Sequence, residues 1–114
     1  MILELNGFRV VGMAKNGQEA IEMYSLLSEK PDIILMDHRM PIKNGLEASK
    51  EILKMDNHAH IIFASADNSI KEEVYSMGIL SFIDKPFSNQ ILIEEINKVL
   101  ERSEFNENNT ISAN

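Results

Sequence analysis

The 114-residue chain has no cysteine and no long apolar run. Without cysteine it has no disulfide framework, no thiolate metal site and no cysteine nucleophile. No segment approaches the roughly 18 apolar residues of a membrane span. The first residues, MILELNGFRVV, also lack the basic region and the cleavage site of a signal peptide. These absences lead us to expect a cytoplasmic protein with no membrane partner.

The chain also lacks a cluster of basic residues. Its net charge is −7, from 11 Lys and Arg residues against 18 Asp and Glu residues. Proteins bind DNA and RNA largely through Lys and Arg contacts with phosphates, so we expect no direct nucleic-acid partner. No repeat or linker divides the sequence, and its length suits one domain.

Short apolar runs alternate with segments of helical spacing along the chain. Strands are predicted at 8–13, 31–37, 60–66 and 79–84. Helices are predicted at 17–30 before Pro31, at 44–55, from a Ser69 cap to Met77 before Gly78, and after a Ser88 cap. This alternation is typical of an α/β fold with a mainly parallel sheet.

The two ends of the chain have different predicted structures. MILELN at 1–6 is apolar enough to form the last turns of a helix, and Gly7 is a suitable residue to end it. The tail at 103–114 is polar and has no hydrophobic period, which predicts disorder. The predicted domain therefore occupies residues 1–102.

Three polar residues follow successive predicted strands: Asp37, Ser65 and Lys85. Ligands of open parallel sheets bind at the carboxyl ends of the strands, so these side chains converge if the strands are adjacent. Taken singly, they are a turn aspartate, a hydrogen-bonding serine and a solvated lysine. Taken together, they suit phosphoryl transfer to Asp37 as the nucleophile, with the other two binding phosphoryl oxygens.

The histidines give a weaker indication. His58 and His60 lie in or beside a loop close to Asp56, and we favour solvated loop residues there over a metal site. His38 follows Asp37 directly, and we expect it at the rim of the pocket.

Four segments occur in a recognisable order: AKNGQEA, PDIILMDHRMPIKNG, IIFASA and GILSFIDKPF. With this spacing, the chain resembles the receiver domain of two-component response regulators, in the single-domain form of chemotaxis regulators. The resemblance covers residues 1–102. It implies a flavodoxin-like, doubly wound parallel sheet of the receiver type, of which four strands are present here.

The resemblance also implies a role for each matching residue. Asp37 would accept a phosphoryl group from the phosphohistidine of a sensor histidine kinase. Ser65 would hydrogen-bond that group and move toward it, and Lys85 would pair with it. Phe82 would be the switch aromatic that turns inward when the hydroxyl moves, and the last two helices and last strand would bind a downstream protein.

Other residues would hold the site together. The resemblance places Met40, Pro41 and Ala66 at the site, and Pro86 after a cis peptide bond. It implies a Mg²⁺ cofactor bound by Asp37 and by the backbone carbonyl of Arg39.

The chain departs from receivers at its beginning. Their first strand, its acidic pair and most of the first helix are missing. Asp67 is expected only at the pocket rim, and Asp84 on the other face of its strand. Asp37 and one carbonyl are too few oxygen ligands for Mg²⁺. We therefore expect either that Met1 is internal to a longer receiver, or a true short form whose open edges a homodimer covers.

Three functions remain in competition. The first is a phosphoacceptor switch that is not an enzyme beyond its own phosphorylation and dephosphorylation. The second is a degenerate receiver, or an incomplete one, that binds partners without phosphorylation. The third is a hydrolase with an aspartyl-phosphate intermediate, which we disfavour because Arg39 stands where such phosphatases carry a second aspartate.

Overall fold

The computed structural model describes the backbone of residues 2–113 and the side chains of residues 3–102. Its elements are α1 (Ile2–Leu5), α2 (Gly17–Leu26), β1 (Ile34–Asp37), α3 (Gly45–Met55), β2 (Ile61–Ser65), a 3-10 turn (Asn68–Ile70) leading into α4 (Lys71–Ser76), β3 (Ser81–Asp84) and α5 (Asn89–Ala113). None of the helices in this described part is both long and apolar enough to cross a membrane.

The three strands form one parallel sheet in the order β1-β2-β3. Asp37 lies opposite Ala64, and Ser65 lies opposite Asp84. Consecutive strands are connected through a helix, α3 or α4, as parallel neighbours require. All three carboxyl ends therefore reach the same edge of the sheet, where ligands of such sheets bind.

Buried apolar residues lie on both faces of this sheet. The α2–α4 face, under helices α2, α3 and α4, buries Ile21, Tyr24, Met36, Ala48, Ile52, Ile61, Phe63, Val74 and Ile79. The α5 face, on the opposite side, buries Ile62, Ile83, Leu92, Ile96 and Val99. Burial on both sides explains why β2, whose five residues are all buried, reads as a continuous apolar run. The layers confirm the predicted α/β class with a parallel sheet.

The prediction of a strand at 8–13 is wrong, because these residues form no regular element. The described part of the chain thus has three strands and not four. A β-branched sequence becomes a strand only where another strand accepts its backbone hydrogen bonds, and β1 offers its free edge to no described strand. Phe8 instead packs with Leu3 on the α5 face, and Met13 is exposed.

Three predicted helix boundaries are confirmed. Gly7 ends α1 with φ +85°. Its N–H donates to the Glu4 carbonyl and the N–H of Phe8 donates to the Leu3 carbonyl, which is the pattern of a Schellman cap. Gly78 has φ +92° just after α4. Ser88 caps α5, since its Oγ accepts the N–H of Ile91 at 3.1 Å.

Two other boundaries differ from the prediction. Helix α2 ends at Leu26 and does not continue to Pro31. Leu26 is exposed, so the apolar stripe that stabilises the helix by packing has already ended. Asp67, not Ser69, is the cap before α4, because its carboxylate accepts the N–H of Ser69 and so begins the 3-10 turn two residues earlier.

The predicted disordered tail at 103–114 falls on residues whose side chains lie outside the described part. The disorder and the domain boundary at residue 102 therefore remain predictions.

Candidate functional site

Asp37 and Lys85 are in direct contact at the carboxyl edge of the sheet. Asp37 ends β1, Lys85 follows β3, and the Lys85 Nζ lies 2.7 Å from the Asp37 Oδ2. The side chains are 46% and 36% exposed, so an incoming group can reach the pair. A carboxylate nucleophile thus stands beside an ammonium group that can bind an anion.

Ser65 ends the strand between these two residues, and it is almost completely buried. Its Oγ accepts the N–H of Asp67 at 3.0 Å, and its carbonyl accepts the N–H of Lys85 at 3.0 Å. A serine hydroxyl can accept and donate at the same time. Among the described contacts, the Ser65 hydroxyl only accepts a hydrogen bond. Its own hydrogen is therefore available to an anion at the edge of the sheet.

The residues that the resemblance places around the site lie in the loops after the strands. The Lys85–Pro86 peptide bond is cis. Met40 is partly buried against the α2–α4 face, and its N–H donates to the His38 carbonyl at 3.0 Å. Ala66 is exposed directly after β2.

Gly45 packs directly against the loop between β1 and α3. Its N–H donates to the His38 carbonyl at 2.9 Å. A Cβ at this position would lie 2.3 Å from the Asp37 carbonyl oxygen and 2.8 Å from the His38 Cα. The first turn of α3 therefore packs directly against the backbone of Asp37. Sequence reasoning did not assign Gly45 a role, although the Asn-Gly pair at a predicted helix start was a visible signal.

The same loop contains a strained residue. Ile42 has φ +69°, and the N–H of Lys43 donates to the Pro41 carbonyl at 2.8 Å, which closes a γ-turn around Ile42. Positive φ is unfavourable for a β-branched side chain. The turn brings the chain back toward α2, where the Gly17 N–H donates to the Lys43 carbonyl at 3.0 Å.

Asp67 lies near His38 and Arg39, the two residues that follow Asp37. Hydrogen bonds from Ser69 lower the pKa of Asp67, and the nearby charges of His38 and Arg39 lower it further. The N–H of Arg39 donates to the Asp37 Oδ1 at 3.3 Å. The Nδ1 of His38 is buried and has no hydrogen-bond partner among the described residues. The His38 ring lies 5.8 Å from the buried Phe63 ring, and the expected position of Asp67 and His38 at the pocket rim stays a prediction.

The donor set around Asp37 does not fit a Mg²⁺ ion. Such an ion needs several oxygen ligands in near-octahedral geometry. The Oδ2 of Asp37 is already bound to Lys85. No group of three or more His, Asp or Glu side chains that could hold a metal occurs in the part of the chain that is described. The residues present support no complete metal site, and the chemistry below uses none.

The described residues show no metal-binding group at the loop histidines. The Nδ1 of His58 lies 3.9 Å from Asp56, but the His58 side chain is 92% exposed. Within the described residues, no third ligand joins them. This geometry is that of a solvated loop histidine.

Phe82 lies on β3, on the same face of the sheet as Phe63. The two rings are stacked at 5.9 Å between centroids, and the Tyr75 ring meets Phe82 edge-on at 6.5 Å. Phe82 is partly buried against the core of the α2–α4 face. Asp84, two residues further along, lies 3.8 Å from Lys71 of α4. Its carboxylate is therefore paired away from Asp37.

Comparison with known proteins gives a consistent result. Residues 1–97 match the family model described as "Response regulator receiver domain". The chain is 44% identical over 100 residues to the chemotaxis protein CheY of Thermotoga maritima, covering 86% of this chain and 82% of that protein. It is 42% identical over 101 residues to the CheY of Bacillus subtilis, covering 87% and 82%.

Among solved structures, the chain is similar to the CheX-CheY-BeF3-Mg+2 complex from Borrelia burgdorferi. The TM-score is 0.82 at 26% sequence identity, with 87% of this chain and 75% of that chain covered. A receiver domain protein from Clostridium thermocellum has a TM-score of 0.81 at 23% identity, with 91% and 83% covered. The second likeness supports the fold alone.

Proposed function

The chain belongs to the response regulator receiver family, and on that premise we propose that it is a phosphoacceptor in two-component signalling. Asp37 is the acceptor. The 2.7 Å contact between Lys85 and Asp37 supports this proposal most directly, because it pairs a nucleophile with the cation that its phosphorylated form needs.

The proposed reaction is a phosphoryl transfer from a histidine of a sensor kinase. A carboxylate oxygen of Asp37 attacks phosphorus, the phosphorus–nitrogen bond breaks, and its electron pair stays on the imidazole. Lys85 pairs with the negative charge on the phosphoryl oxygens, and the Ser65 hydroxyl donates to one of them. Metal binding is a general property of receivers, and the Borrelia complex contains Mg²⁺. Because the donor set here is short of ligands, we expect slow transfer.

The proposed output is protein binding in the cytoplasm. Phe82, partly buried on β3, would turn further inward when Ser65 moves toward the phosphoryl group. The surface of α4, β3 and α5 would then bind a downstream protein. The Borrelia CheY is in complex with CheX, and a comparable partner suits this chain. In this reading the protein acts as a signalling module and not as an enzyme.

Mass spectrometry of the intact protein tests the proposal. The protein is incubated with acetyl phosphate at low and at high Mg²⁺ concentration, and we expect a mass gain of one phosphoryl group. Asp37→Asn should abolish the gain. Asp84→Asn is the matched control, since it removes an aspartate at the end of another strand of the same sheet, β3, and it should keep the gain. No mass gain even at high Mg²⁺ would contradict the proposal.

The incomplete donor set favours a second function, a receiver that binds its partners without phosphorylation. The same experiment separates the two. Partner binding by Asp37→Asn that equals binding by the unchanged protein would favour the second function. Light scattering of the purified protein would show whether it forms a homodimer through the edge of β1, which pairs with no other strand in the described part of the chain.

A further inference from the structure

Lys71 lies against the ring of Phe82. It is the first residue of α4, and its Nζ is 5.1 Å from the centroid of that ring. The same ammonium group lies 3.8 Å from the Oδ2 of Asp84. Phe82 and Asp84 are two residues apart on β3, so their side chains leave the same face of the strand. One cation therefore contacts both an aromatic ring and a carboxylate on β3.

The ring of Phe82 belongs to a row of aromatic contacts across the α2–α4 face. His38 lies 5.8 Å from Phe63, Phe63 stacks on Phe82 at 5.9 Å, and Tyr75 meets Phe82 at 6.5 Å. Phe63 is fully buried, whereas Tyr75 is 45% exposed. The row thus runs from the residue beside Asp37 to the surface of α4.

Local hydrogen bonds connect Lys71 to Ser65. The Ser65 Oγ accepts the N–H of Asp67 at 3.0 Å, and Asp67 caps the following 3-10 turn through Ser69. The N–H of Lys71 donates to the carbonyl of Asn68 at the end of that turn. A movement of the Ser65 hydroxyl would release the Asp67 N–H and so disturb the turn from which Lys71 extends.

We propose that Lys71 is a positioning residue for Phe82. Its cation, which lies 3.8 Å from Asp84, fixes the Phe82 ring against Phe63 and Tyr75, and this contact determines how far the ring responds to the state of the Asp37 site. The first part depends only on the contacts of Lys71. The second part rests on the proposed phosphorylation of Asp37.

Nuclear magnetic resonance tests the contact directly. Protons over an aromatic ring are shielded, so the ε-methylene signal of Lys71 should lie upfield of that of Lys98, whose ammonium is paired only with Glu95 within the described residues. The upfield shift should vanish in Phe82→Leu. A Lys71 signal that coincides with that of Lys98, or that is unchanged in Phe82→Leu, would overturn the proposal.

Three lysine variants test the positioning. Lys71→Met removes the cation and keeps an apolar side chain, and it should shift the ring signals of Phe82 and Phe63. Lys71→Arg keeps a cation that binds aromatic faces, and it should restore the signals. Lys50→Met is the matched control, because Lys50 makes a 2.9 Å ion pair with Glu73 of α4 without touching a ring among the described contacts. Equal ring shifts in Lys50→Met and Lys71→Met, or no rescue by Lys71→Arg, would contradict a positioning role.

Addition of acetyl phosphate tests the role of Lys71 in the response of the ring. We expect the Phe82 ring signals to change in the unchanged protein and to stay constant in Asp37→Asn. Lys71→Met should still gain the phosphoryl mass, but the change at Phe82 should be lost. A Phe82 response in Lys71→Met equal to that of the unchanged protein overturns the role of Lys71 in that response. If the unchanged protein gains no phosphoryl mass, the phosphoacceptor function is refuted instead. The ring signals of the lysine variants then still test whether Lys71 positions Phe82.

Discussion

The two faces of strand β1 are covered very differently. Met36 points to the α2–α4 face and is 2% exposed, whereas its neighbour Leu35 points to the opposite face and is 42% exposed. On the α5 face, the buried strand residues are Ile62 of β2 and Ile83 of β3, and β1 contributes none. The strand that carries Asp37 is therefore held mainly from the α2–α4 face.

The candidate site depends on the same face. Gly45 of α3 supports the backbone of Asp37 there. Phe82 packs on this face as well, under the α4 residues Lys71 and Tyr75. A change on the α2–α4 face should thus affect both stability and the site, while a matched change on the other side of β1 should affect neither strongly.

Gly45→Ala should have the largest effect. The new methyl group would meet the backbone of Asp37 and His38, which cannot move aside like a flexible side chain. We expect a loss of about 3 kcal/mol or more in the free energy of unfolding, measured by urea denaturation, together with reduced phosphorylation. Gly12→Ala is the control, since its methyl group would meet only the flexible Met23 side chain. Equal losses in both variants would argue against a backbone support.

Met36→Ala and Leu35→Ala form the most direct test of the two faces. Met36→Ala leaves a cavity in a closed core, and should lower the free energy of unfolding by roughly 2–3 kcal/mol. Leu35→Ala should cost less than about 1 kcal/mol, because much of that side chain is already in water. Chemical denaturation of both variants measures the difference. Similar losses would mean that the α5 face covers β1 better than the exposure of Leu35 indicates.

The bond between Tyr24 and Asp56 gives the α2–α4 face a pH dependence. Burial, followed by the 2.6 Å bond to Asp56, raises the pKa of Tyr24 to about 12. The bond from Tyr24, followed by that from the His58 N–H, lowers the pKa of Asp56. The stabilisation should be complete between about pH 4 and pH 10, where unfolded Asp is ionised and unfolded Tyr is neutral. It should be lost as the pH falls through the lowered pKa of Asp56, or rises through about 12.

Tyr24→Phe isolates this contribution. We expect a loss of about 1–2 kcal/mol at pH 7, and a smaller difference from the unchanged protein at both extremes of pH. Urea denaturation across the pH range measures it. A difference that is constant from pH 3 to pH 12 would show that the bond does not control the titration of either group.

Ile42→Asn should have a small effect of the opposite sign. Asn adopts positive φ more readily than a β-branched residue, so relief of the strain should raise the free energy of unfolding by about 1 kcal/mol. Thermal denaturation measures the change. Leu80→Asn is the control: Leu80 is similarly exposed, at 71% against 77%, but has no positive φ. An equal rise in the free energy of unfolding of Leu80→Asn would mean that the effect comes from removing exposed apolar surface and not from relief of backbone strain.

Much of the fold could be predicted because its signals are local. The apolar runs before Asp37 and Ser65, the glycine that ends α1 and the serine that caps α5 each act through their immediate neighbours in the chain. The convergence of strand ends at one edge of the sheet also followed from the pattern of alternating strands and helices. The cap before α4 was misplaced because Asp67 and Ser69 are both good caps, and only the loop path selects between them.

Other features depend on residues that are distant in the sequence. Residues 8–13 have the composition of a strand, yet no described strand lies beside them to accept their hydrogen bonds. The contact of Lys71 with Phe82 exists only because α4 packs over β3. The closeness of Gly45 to the Asp37 carbonyl depends on the return path of the β1–α3 loop.

The sequence by itself determined the alternating order of elements, their apolar cores and the identity of the three polar residues at the strand ends. Periodicity and capping are short-range properties, and a single chain shows them directly. Only the tertiary structure decided which segment joined the sheet, which side of β1 was covered and which cation positioned the Phe82 ring. Those outcomes depend on the relative placement of packed elements, since a hydrogen-bond partner or a covering helix must arrive from elsewhere in the chain.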